Sequence, residues 1–161
     1  MIVLFGSEKG GTGKSTLATN LAVWLTKQGG DVILVDTDLQ RTASHWVDRR
    51  NAVDGLTMVH CTERRGNVFH ALRDLAKRYD EVIVDAGGRD SEELRTALVA
   101  AQRVYVPLKA SQPDIETSVH MNELVKLARA VNAPPPKGGG FGLRLKSAIS
   151  AKADVSLLKQ A

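Results

Sequence analysis

The chain has 161 residues, of which 43% are hydrophobic and 25% are charged, a composition typical of a soluble globular protein with one core. No apolar run approaches the roughly 20 residues that a membrane-spanning helix needs, and the N-terminus does not resemble a secretory signal. A single cysteine, Cys61, excludes an internal disulfide. We therefore expect a reducing, cytoplasmic location and an inert Cys61 thiol.

The net charge of +4 is distributed unevenly along the chain. Residues 1–133 carry equal numbers of acidic and basic side chains. Residues 134–161 carry five basic side chains against one acidic side chain, Asp154. The excess positive charge therefore belongs to the tail, and it is not a nucleic-acid signal from the body of the chain.

Short apolar runs alternate with helical spacing in the first half of the chain. "IVLF" (2–5) predicts a buried strand, and the apolar spacing from Ser15 onward predicts a helix that stops at Gly29 and Gly30. "VILV" (32–35) predicts a second buried strand, followed by a helix on which Trp46 packs. "LTMVH" (56–60) predicts a third strand, and the apolar spacing from about 66 to 78 predicts a helix.

The second half continues the alternation. We predict strands at "VIV" (82–84) and "VYVPL" (104–108), and helices at 91–101 and 114–131. Short apolar strands that alternate with helices are typical of right-handed βαβ units. The sequence therefore predicts an α/β fold with an open, mostly parallel sheet and helices on both faces, in which ligands bind at the carboxyl ends of the strands.

The chain changes character at Pro134. "PPPKGGG" (134–140) continues neither a helix nor a strand. We therefore expect one domain at 1–133, without the further strand that an open α/β fold would normally add, and an atypical Pro/Gly-rich linker and basic tail at 134–161.

"EKGGTGKST" (8–16) lies between the first strand and the first helix, the setting of a phosphate-binding loop. Its glycines let backbone N–H groups turn toward phosphate oxygens, and the helix N-terminus adds positive charge. Lys14 would reach the terminal phosphates, the Ser15 hydroxyl would ligate Mg²⁺, and Thr16 would lie near the α-phosphate.

The common phosphate loop needs glycine at position 8, where this chain has Glu8. "KGGTGKS" instead resembles the deviant Walker A loop of the ParA/MinD family of dimeric ATPases, whose pattern is K-G-G-x-x-K-[ST]. The resemblance runs from Met1 to about Asn132 and implies a P-loop NTPase fold that binds ATP or ADP with Mg²⁺. The residues that would bind nucleotide are Lys9, Gly10, Gly11, Thr12, Gly13, Lys14, Ser15 and Thr16.

The resemblance also gives the two lysines of the loop different roles. Lys14 would serve the nucleotide of its own subunit, and Lys9 would reach across a dimer to the nucleotide of the partner subunit, so both are expected to act in catalysis. The alternative for Lys9 is a solvated loop lysine.

Two acidic stretches resemble the remaining motifs of the family. "VILVDTDLQ" (32–40) is similar to the D-x-D-P-Q switch, with Leu39 in place of proline, which implies that Asp38 orients the attacking water and that Asp36 supports the Mg²⁺ side. "EVIVDAGG" (81–88) is similar to the Walker B strand, which implies that Asp85 accepts hydrogen bonds from Mg²⁺-bound water. Ser15, Asp36 and Asp85 are thus the expected metal site. The alternative for Asp36 and Asp38 is a pair of solvated strand-end aspartates.

Other polar residues carry weaker signals. Arg89 would form an ion pair with Asp90 or Glu92, or contact the γ-phosphate or the partner subunit. The segment 104–116 resembles the family's dimer face, where Pro107 and Asp114 would be structural and interfacial. The histidines show no metal-ligand spacing, and we interpret them as incidental.

The resemblance implies an ATPase of the partition type with slow intrinsic turnover. Such a protein forms a homodimer with ATP, binds DNA nonspecifically, and is stimulated by a centromere-binding partner protein; it would be cytoplasmic and associated with the nucleoid. We expect only weak DNA binding, since the body is neutral, and no stable membrane association. The alternatives are a MinD-like membrane-surface ATPase, which needs a C-terminal amphipathic helix, and a truncated or frame-shifted inactive product.

Overall fold

The structure is a computed structural model that describes residues 1–88, 90–108 and 112–132. Arg89 and the linker and tail predicted at 134–161 lie outside the described residues. The strands are β1 (Ile2–Phe5), β2 (Val32–Asp36), β3 (His60–Glu63), β4 (Glu81–Asp85) and β5 (Arg103–Tyr105). The helices are α1 (Lys14–Lys27), α2 (Thr42–Asn51), α3 (Phe69–Leu75), α4 (Glu92–Ala100) and α5 (Gln112–Asn132).

The described strands form one sheet in the order β3-β2-β4-β1-β5, and all neighbours are parallel. The central strand β4 pairs with β1 on one side and β2 on the other. In this register Asp85 lies beside Phe5 on β1 and beside Asp36 on β2. The predicted α/β class and the parallel sheet are therefore confirmed.

Alternate strand residues pack into two separate cores, one on each face of the sheet. Val3 and Phe5 pack with small side chains of α1 and α2, among them Ala18 and Ala43. The intervening Ile2 and Leu4 pack on the other face, where α3, α4 and α5 lie. Because both faces are covered, the inner strands are apolar throughout rather than alternating with polar residues.

The edges of the sheet depart from the predicted positions. The third strand is His60–Glu63 and not 56–60, and of the predicted residues Leu56 and Met58 are exposed. The fifth strand is Arg103–Tyr105 rather than 104–108. Helix α3 is also shorter than 66–78, because Gly66 has a left-handed φ of 67° and residues 76–78 form a turn. Across the part of the chain that the structure describes, no helix is both long and apolar enough to pass through a bilayer.

Candidate nucleotide site

The loops that follow β1, β2 and β4 meet at the carboxyl edge of the sheet. The parallel register places the ends of these strands side by side, with Asp36 and Asp85 paired across β2 and β4. The loop after β1 carries the glycine-rich sequence, and the loop after β2 carries Asp38. The topology thus brings the three predicted motifs to one place.

The glycine-rich loop adopts conformations that suit glycine. Gly11 and Gly13 have φ values of 69° and 94°, a region that other residues rarely adopt, and Gly13 immediately precedes the first residue of α1. The buried Ser7 hydroxyl lies 3.1 Å from the carbonyl of Lys9, to which it donates, and 3.2 Å from the Thr12 hydroxyl. Sequence reasoning missed Ser7, whose only signal is its position between the end of β1 and the loop.

Lys14 is the buried cation of this loop. Its Nζ donates to the Lys9 carbonyl at 2.7 Å and to Ser7 Oγ at 3.4 Å, so the ammonium lies inside the curve of the loop. Burial lowers the pKa of Lys14, while the negative charges of Asp85 and Asp38 raise it in part. The predicted phosphate-binding lysine is therefore held between the loop backbone and two carboxylates.

Asp85 is fully buried, and neither of its carboxylate oxygens has a hydrogen-bond partner among the described residues. The pKa of Asp85 is raised to about 7, mainly by burial and to a smaller extent by the negative charges of Asp36 and Asp38. The hydroxyl of Ser15 and the ammonium of Lys14 act in the opposite direction and favour the ionised form. A buried carboxylate without a partner costs free energy unless a cation or a proton compensates its charge.

The donors around Asp85 suit Mg²⁺. This ion prefers oxygen ligands and typically uses one or two protein ligands together with water and phosphate oxygens. The Asp85 carboxylate has both oxygens unpaired in the described structure, and the Ser15 hydroxyl lies close enough to affect its ionisation. These two residues therefore fit the predicted metal site.

Asp36 is also fully buried, but its oxygens are used within the protein. Oδ1 accepts from the backbone N–H of Asp38 at 2.9 Å, and Oδ2 accepts from the backbone N–H of Ser44 at 2.8 Å. The Asp36 side chain thus joins the loop after β2 to the first turn of α2. Asp36 is not a solvated strand-end aspartate, while its support of Mg²⁺ stays a prediction.

Asp38 is half-buried and faces the segment that follows β4. Its Oδ1 accepts from the backbone N–H of Gln40 at 3.0 Å. The Asp38 carboxylate lies against Gly87: a Cβ at position 87 would be 3.4 Å from the carboxylate carbon. The next residue, Gly88, packs against the glycine-rich loop so closely that a Cβ there would lie 2.9 Å from the Gly10 nitrogen. Three loops are therefore in direct contact around Lys14.

One histidine and the cysteine have defined surroundings outside this group. His120 on α5 lies 3.0 Å from Glu8 and 3.9 Å from Asp90, contacts that the spacing of the histidines in the sequence did not predict. Because both Asp90 oxygens already accept hydrogen bonds from Arg95, we interpret this cluster as a packing contact between α5 and the loops rather than as a metal site. Burial raises the pKa of Cys61 to about 11, which keeps its thiol protonated and agrees with an inert cysteine.

Comparison with known proteins identifies relatives over this part of the chain. Maintenance of carboxysome distribution protein A of Gloeobacter kilaueensis is 35% identical over 108 residues, which cover 66% of this chain and 48% of that protein. The chromosome-partitioning ATPase Soj of Thermus thermophilus is 30% identical over 141 residues, which cover 71% of this chain and 57% of that protein. This chain therefore spans about half the length of these curated relatives.

A solved structure supports the fold independently. Cobyrinic acid a,c-diamide synthase of Mycobacterium smegmatis, with bound ADP and magnesium, superimposes with a TM-score of 0.68 at 20% identity. The match covers 81% of this chain and 69% of that one. At this identity the likeness concerns the fold alone.

The family model of the CobQ/CobB/MinD/ParA nucleotide binding domain matches residues 3–155. The matched range extends beyond Asn132, where we expected the resemblance to end, while the division of the chain at residue 133 stays a prediction. With the sheet topology, the glycine-rich loop and the partition-protein relatives in agreement, the chain belongs to the CobQ/CobB/MinD/ParA family of P-loop, ATPase-like nucleotide-binding proteins.

Proposed function

We propose that this chain binds ATP and ADP with Mg²⁺ and hydrolyses ATP, with residues 1–133 as its ATPase domain. The observation that carries the proposal is the buried Asp85 carboxylate without a hydrogen-bond partner among the described residues, beside Ser15 and Lys14. A buried acid, a hydroxyl and a buried ammonium at one sheet edge would suit a magnesium-bound phosphate.

We assign each residue of the site a role in ATP binding or hydrolysis on the basis of its surroundings. Lys14 Nζ would exchange its 2.7 Å bond to the Lys9 carbonyl for phosphate oxygens, and the backbone N–H groups of residues 10–16 would surround them. Bound Mg²⁺ supplies positive charge that offsets the charge developing on the phosphates. Asp85 and Ser15 would hold this ion, with Asp36 supporting them, and Asp38 would orient the attacking water.

We further propose that the ATPase acts in partition. The named relatives are a chromosome-partitioning ATPase and a carboxysome-distribution protein, which supports the transport of a large cargo as the biological role. On this proposal the chain forms a homodimer with ATP, in which Lys9 contacts the partner's nucleotide, binds DNA weakly and nonspecifically, and responds to a partner protein that marks the cargo.

The experiment that tests the proposal compares Lys14→Ala with Lys9→Ala. Lys14→Ala should weaken ADP binding by about 10- to 100-fold in calorimetry, since a charge-assisted phosphate contact is worth roughly 1.5–3 kcal/mol. Lys9→Ala is the matched control within the loop and should retain most of its ADP affinity. With ATP, light scattering should show a dimer for the wild-type chain and a monomer for Lys9→Ala.

Two results would contradict the proposal. Equal ADP affinity of the wild-type chain and Lys14→Ala would remove the phosphate site. An ATP dimer that persists in Lys9→Ala, with unchanged turnover, would remove the role of Lys9 across the dimer while leaving the nucleotide site in place.

A further inference from the structure

Arg65 lies two residues beyond the end of β3 and reaches back to the loop that follows β2. Its Nη1 donates to the carbonyl of Asp36 and its Nη2 donates to the carbonyl of Asp38, each at 2.9 Å. A single planar guanidinium therefore bonds to the carbonyls of residues 36 and 38, which are two positions apart at the start of the loop that carries Asp38. A guanidinium can do this because its two terminal nitrogens point in fixed, parallel directions.

The guanidinium is itself held in place. Nη2 lies 3.3 Å from the Glu63 carboxylate, and the same carboxylate accepts from Arg41 Nε at 2.7 Å. Arg41 also closes the loop through its backbone N–H, which donates to the Asp38 carbonyl at 2.9 Å. Glu63 thus joins the two arginines on either side of the loop, and the bond from Arg41 is the main reason that the pKa of Glu63 is lowered.

Hydrogen bonds of the neighbouring backbone hold the main chain of Arg65 in place. The backbone N–H of Arg64 donates to the Asp36 carbonyl at 3.1 Å, and the backbone N–H of Gly66 donates to Glu93 on α4 at 2.8 Å. Residues 64–66 are therefore anchored between β2 and α4. By contrast, the Arg64 side chain hydrogen-bonds to its own strand, through Thr62 Oγ1 and the Glu63 carbonyl, both at 2.7 Å.

We propose that Arg65 is a positioning residue that fixes the backbone of residues 36–38 and thereby directs the Asp38 carboxylate toward the nucleotide site. Among the described residues, the Arg65 side chain bonds to the Asp36, Arg64 and Asp38 carbonyls and to Glu63, so its effect on the nucleotide site passes through the loop that carries Asp38. This inference rests on the proposed ATPase function.

The test uses the full-length chain with Arg65→Ala, Arg65→Lys and, as the matched control, Arg64→Ala. The first measurement is hydrogen exchange without nucleotide, at the amides of Asp38, Gln40 and Arg41, whose hydrogen bonds lie within the loop. Arg65→Ala should raise their exchange rates at least tenfold relative to an amide of the central strand β4. Arg64→Ala should leave them unchanged.

The second measurement separates positioning from general stability. Arg65→Ala should lower kcat for ATP hydrolysis by about 10- to 100-fold while the ADP Kd and the KM for ATP stay within about threefold. Arg65→Lys, which can make one of the two bonds, should give an intermediate kcat. Equal losses of kcat and ADP affinity together with a lowered Tm would show a merely structural role and overturn the inference.

The two measurements also separate failure of the inference from failure of the proposed function. A wild-type chain that does not hydrolyse ATP contradicts the proposed function, and the exchange experiment then still decides whether Arg65 anchors the loop. Unchanged exchange at Asp38, Gln40 and Arg41 in Arg65→Ala overturns the inference, whatever the wild-type turnover is.

Discussion

The Asp85 carboxyl group makes the stability of the nucleotide-free chain depend on pH. Its pKa in the folded chain is about 7, above the ordinary value of 3.8, because burial disfavours the charged form. A raised carboxyl pKa means that the folded state binds a proton more tightly than the unfolded state. The contribution to stability is therefore complete below about pH 4 and is lost as the pH rises through 7.

We expect Asp85→Asn to stabilise the nucleotide-free chain at pH 8. The amide has nearly the same shape and no charge, so it removes a cost of up to roughly 4 kcal/mol that the buried carboxylate imposes at this pH. Thermal unfolding should show a Tm above that of the wild-type chain at pH 8 and a much smaller difference at pH 5. A wild-type Tm that equals or exceeds the variant's at pH 8 would contradict the unpaired carboxylate.

The same variant should show a weaker response of its Tm to magnesium. Mg²⁺ with ADP should raise the Tm of the wild-type chain, since ligand that binds only the folded state stabilises it. Asp85→Asn should show a smaller increase, because the ion loses a charged group that holds its water ligands. Together the two responses distinguish a site built for a cation from a buried aspartate of purely structural value.

Sequence reasoning was informative for residues whose chemistry depends on a local pattern. Lys14, Ser15 and Asp85 follow from the loop and from the end of an apolar strand, and the structure brings them together. Ser7 and Arg65 had no such pattern, because their shortest hydrogen bonds go to backbone carbonyls, which every residue in the chain has. A hydrogen bond from a side chain to a backbone carbonyl depends on how the loops are placed, which the sequence pattern does not give.

At the level of elements, the close contact between the glycine-rich loop and the segment after β4 requires a residue without a side chain at position 88. A Cβ at Gly88 would lie 2.9 Å from both the Gly10 nitrogen and the Lys9 carbonyl carbon. Both neighbours are backbone atoms, so they cannot move aside as a flexible side chain could. A Cβ at Gly10, on the other side of this contact, would meet nothing within 4 Å.

We expect Gly88→Ala to destabilise the nucleotide-free chain by about 1–3 kcal/mol, the usual cost of overpacking. For a chain of this length the loss corresponds to a Tm decrease of roughly 3–10 °C in a thermal melt. Gly10→Ala is the matched control and should change the Tm by less than about 2 °C. If Gly88→Ala melts at the wild-type temperature, the two loops are not packed together in solution.

The elements themselves were predictable where burial was complete on both faces. β1, β2 and β4 are continuous apolar runs, because helices cover both sides of the central sheet, and their predicted and observed bounds nearly coincide. β3 is an edge strand with the sequence "HCTE" and no fully buried side chain. The apolar run just before it misled the prediction: Val59 is buried, but Leu56 and Met58 are exposed. Edge strands lack the burial that produces the signal.

On the scale of the whole molecule, the body of the chain carries three basic pairs at different places: Arg49-Arg50, Arg64-Arg65 and Lys77-Arg78. Arg49 and Arg50 lie in the last turn of α2, at the amino edge of the sheet, because α2 runs back from the carboxyl edge to the start of β3. Arg64 and Arg65 lie at the opposite edge, after β3. Lys77 and Arg78 lie between α3 and the start of β4, also at the amino edge. The fold therefore separates Arg64 and Arg65 from the other two pairs, so the three pairs do not form one stripe.

Each basic pair also has a member with an intramolecular partner. Arg50 Nη1 donates to the Thr57 carbonyl at 2.5 Å, and Lys77 Nζ lies 2.7 Å from Asp74. Arg65 holds the loop after β2. Contact of these three side chains with DNA phosphates would first have to break the existing bonds, which reduces the net gain from each contact.

We therefore expect the ATP-bound chain to bind random duplex DNA weakly, with the tail supplying most of the charge. Fluorescence anisotropy with ATP and Mg²⁺ should show affinity that falls by about 0.9 log units per neutralised phosphate for each tenfold rise in salt. The slope should correspond to only a few phosphates per subunit, and little binding should be left at about 0.3 M salt. The comparison is a full-length variant in which the basic residues of the tail are replaced by glutamine: Lys137, Arg144, Lys146, Lys152 and Lys159.

The replacement should reduce both the affinity and the salt slope, because both quantities count the phosphates that the protein neutralises. A matched control, Arg49→Gln with Arg64→Gln, changes the side chains of the body pairs that face solvent at opposite edges of the sheet, and it should have a smaller effect. If the tail variant binds as the wild-type chain does and the control variant does not, the body carries the DNA contact. Tight binding by the wild-type chain that persists at high salt would contradict weak electrostatic contact altogether, and would require a surface that the separated basic pairs do not form.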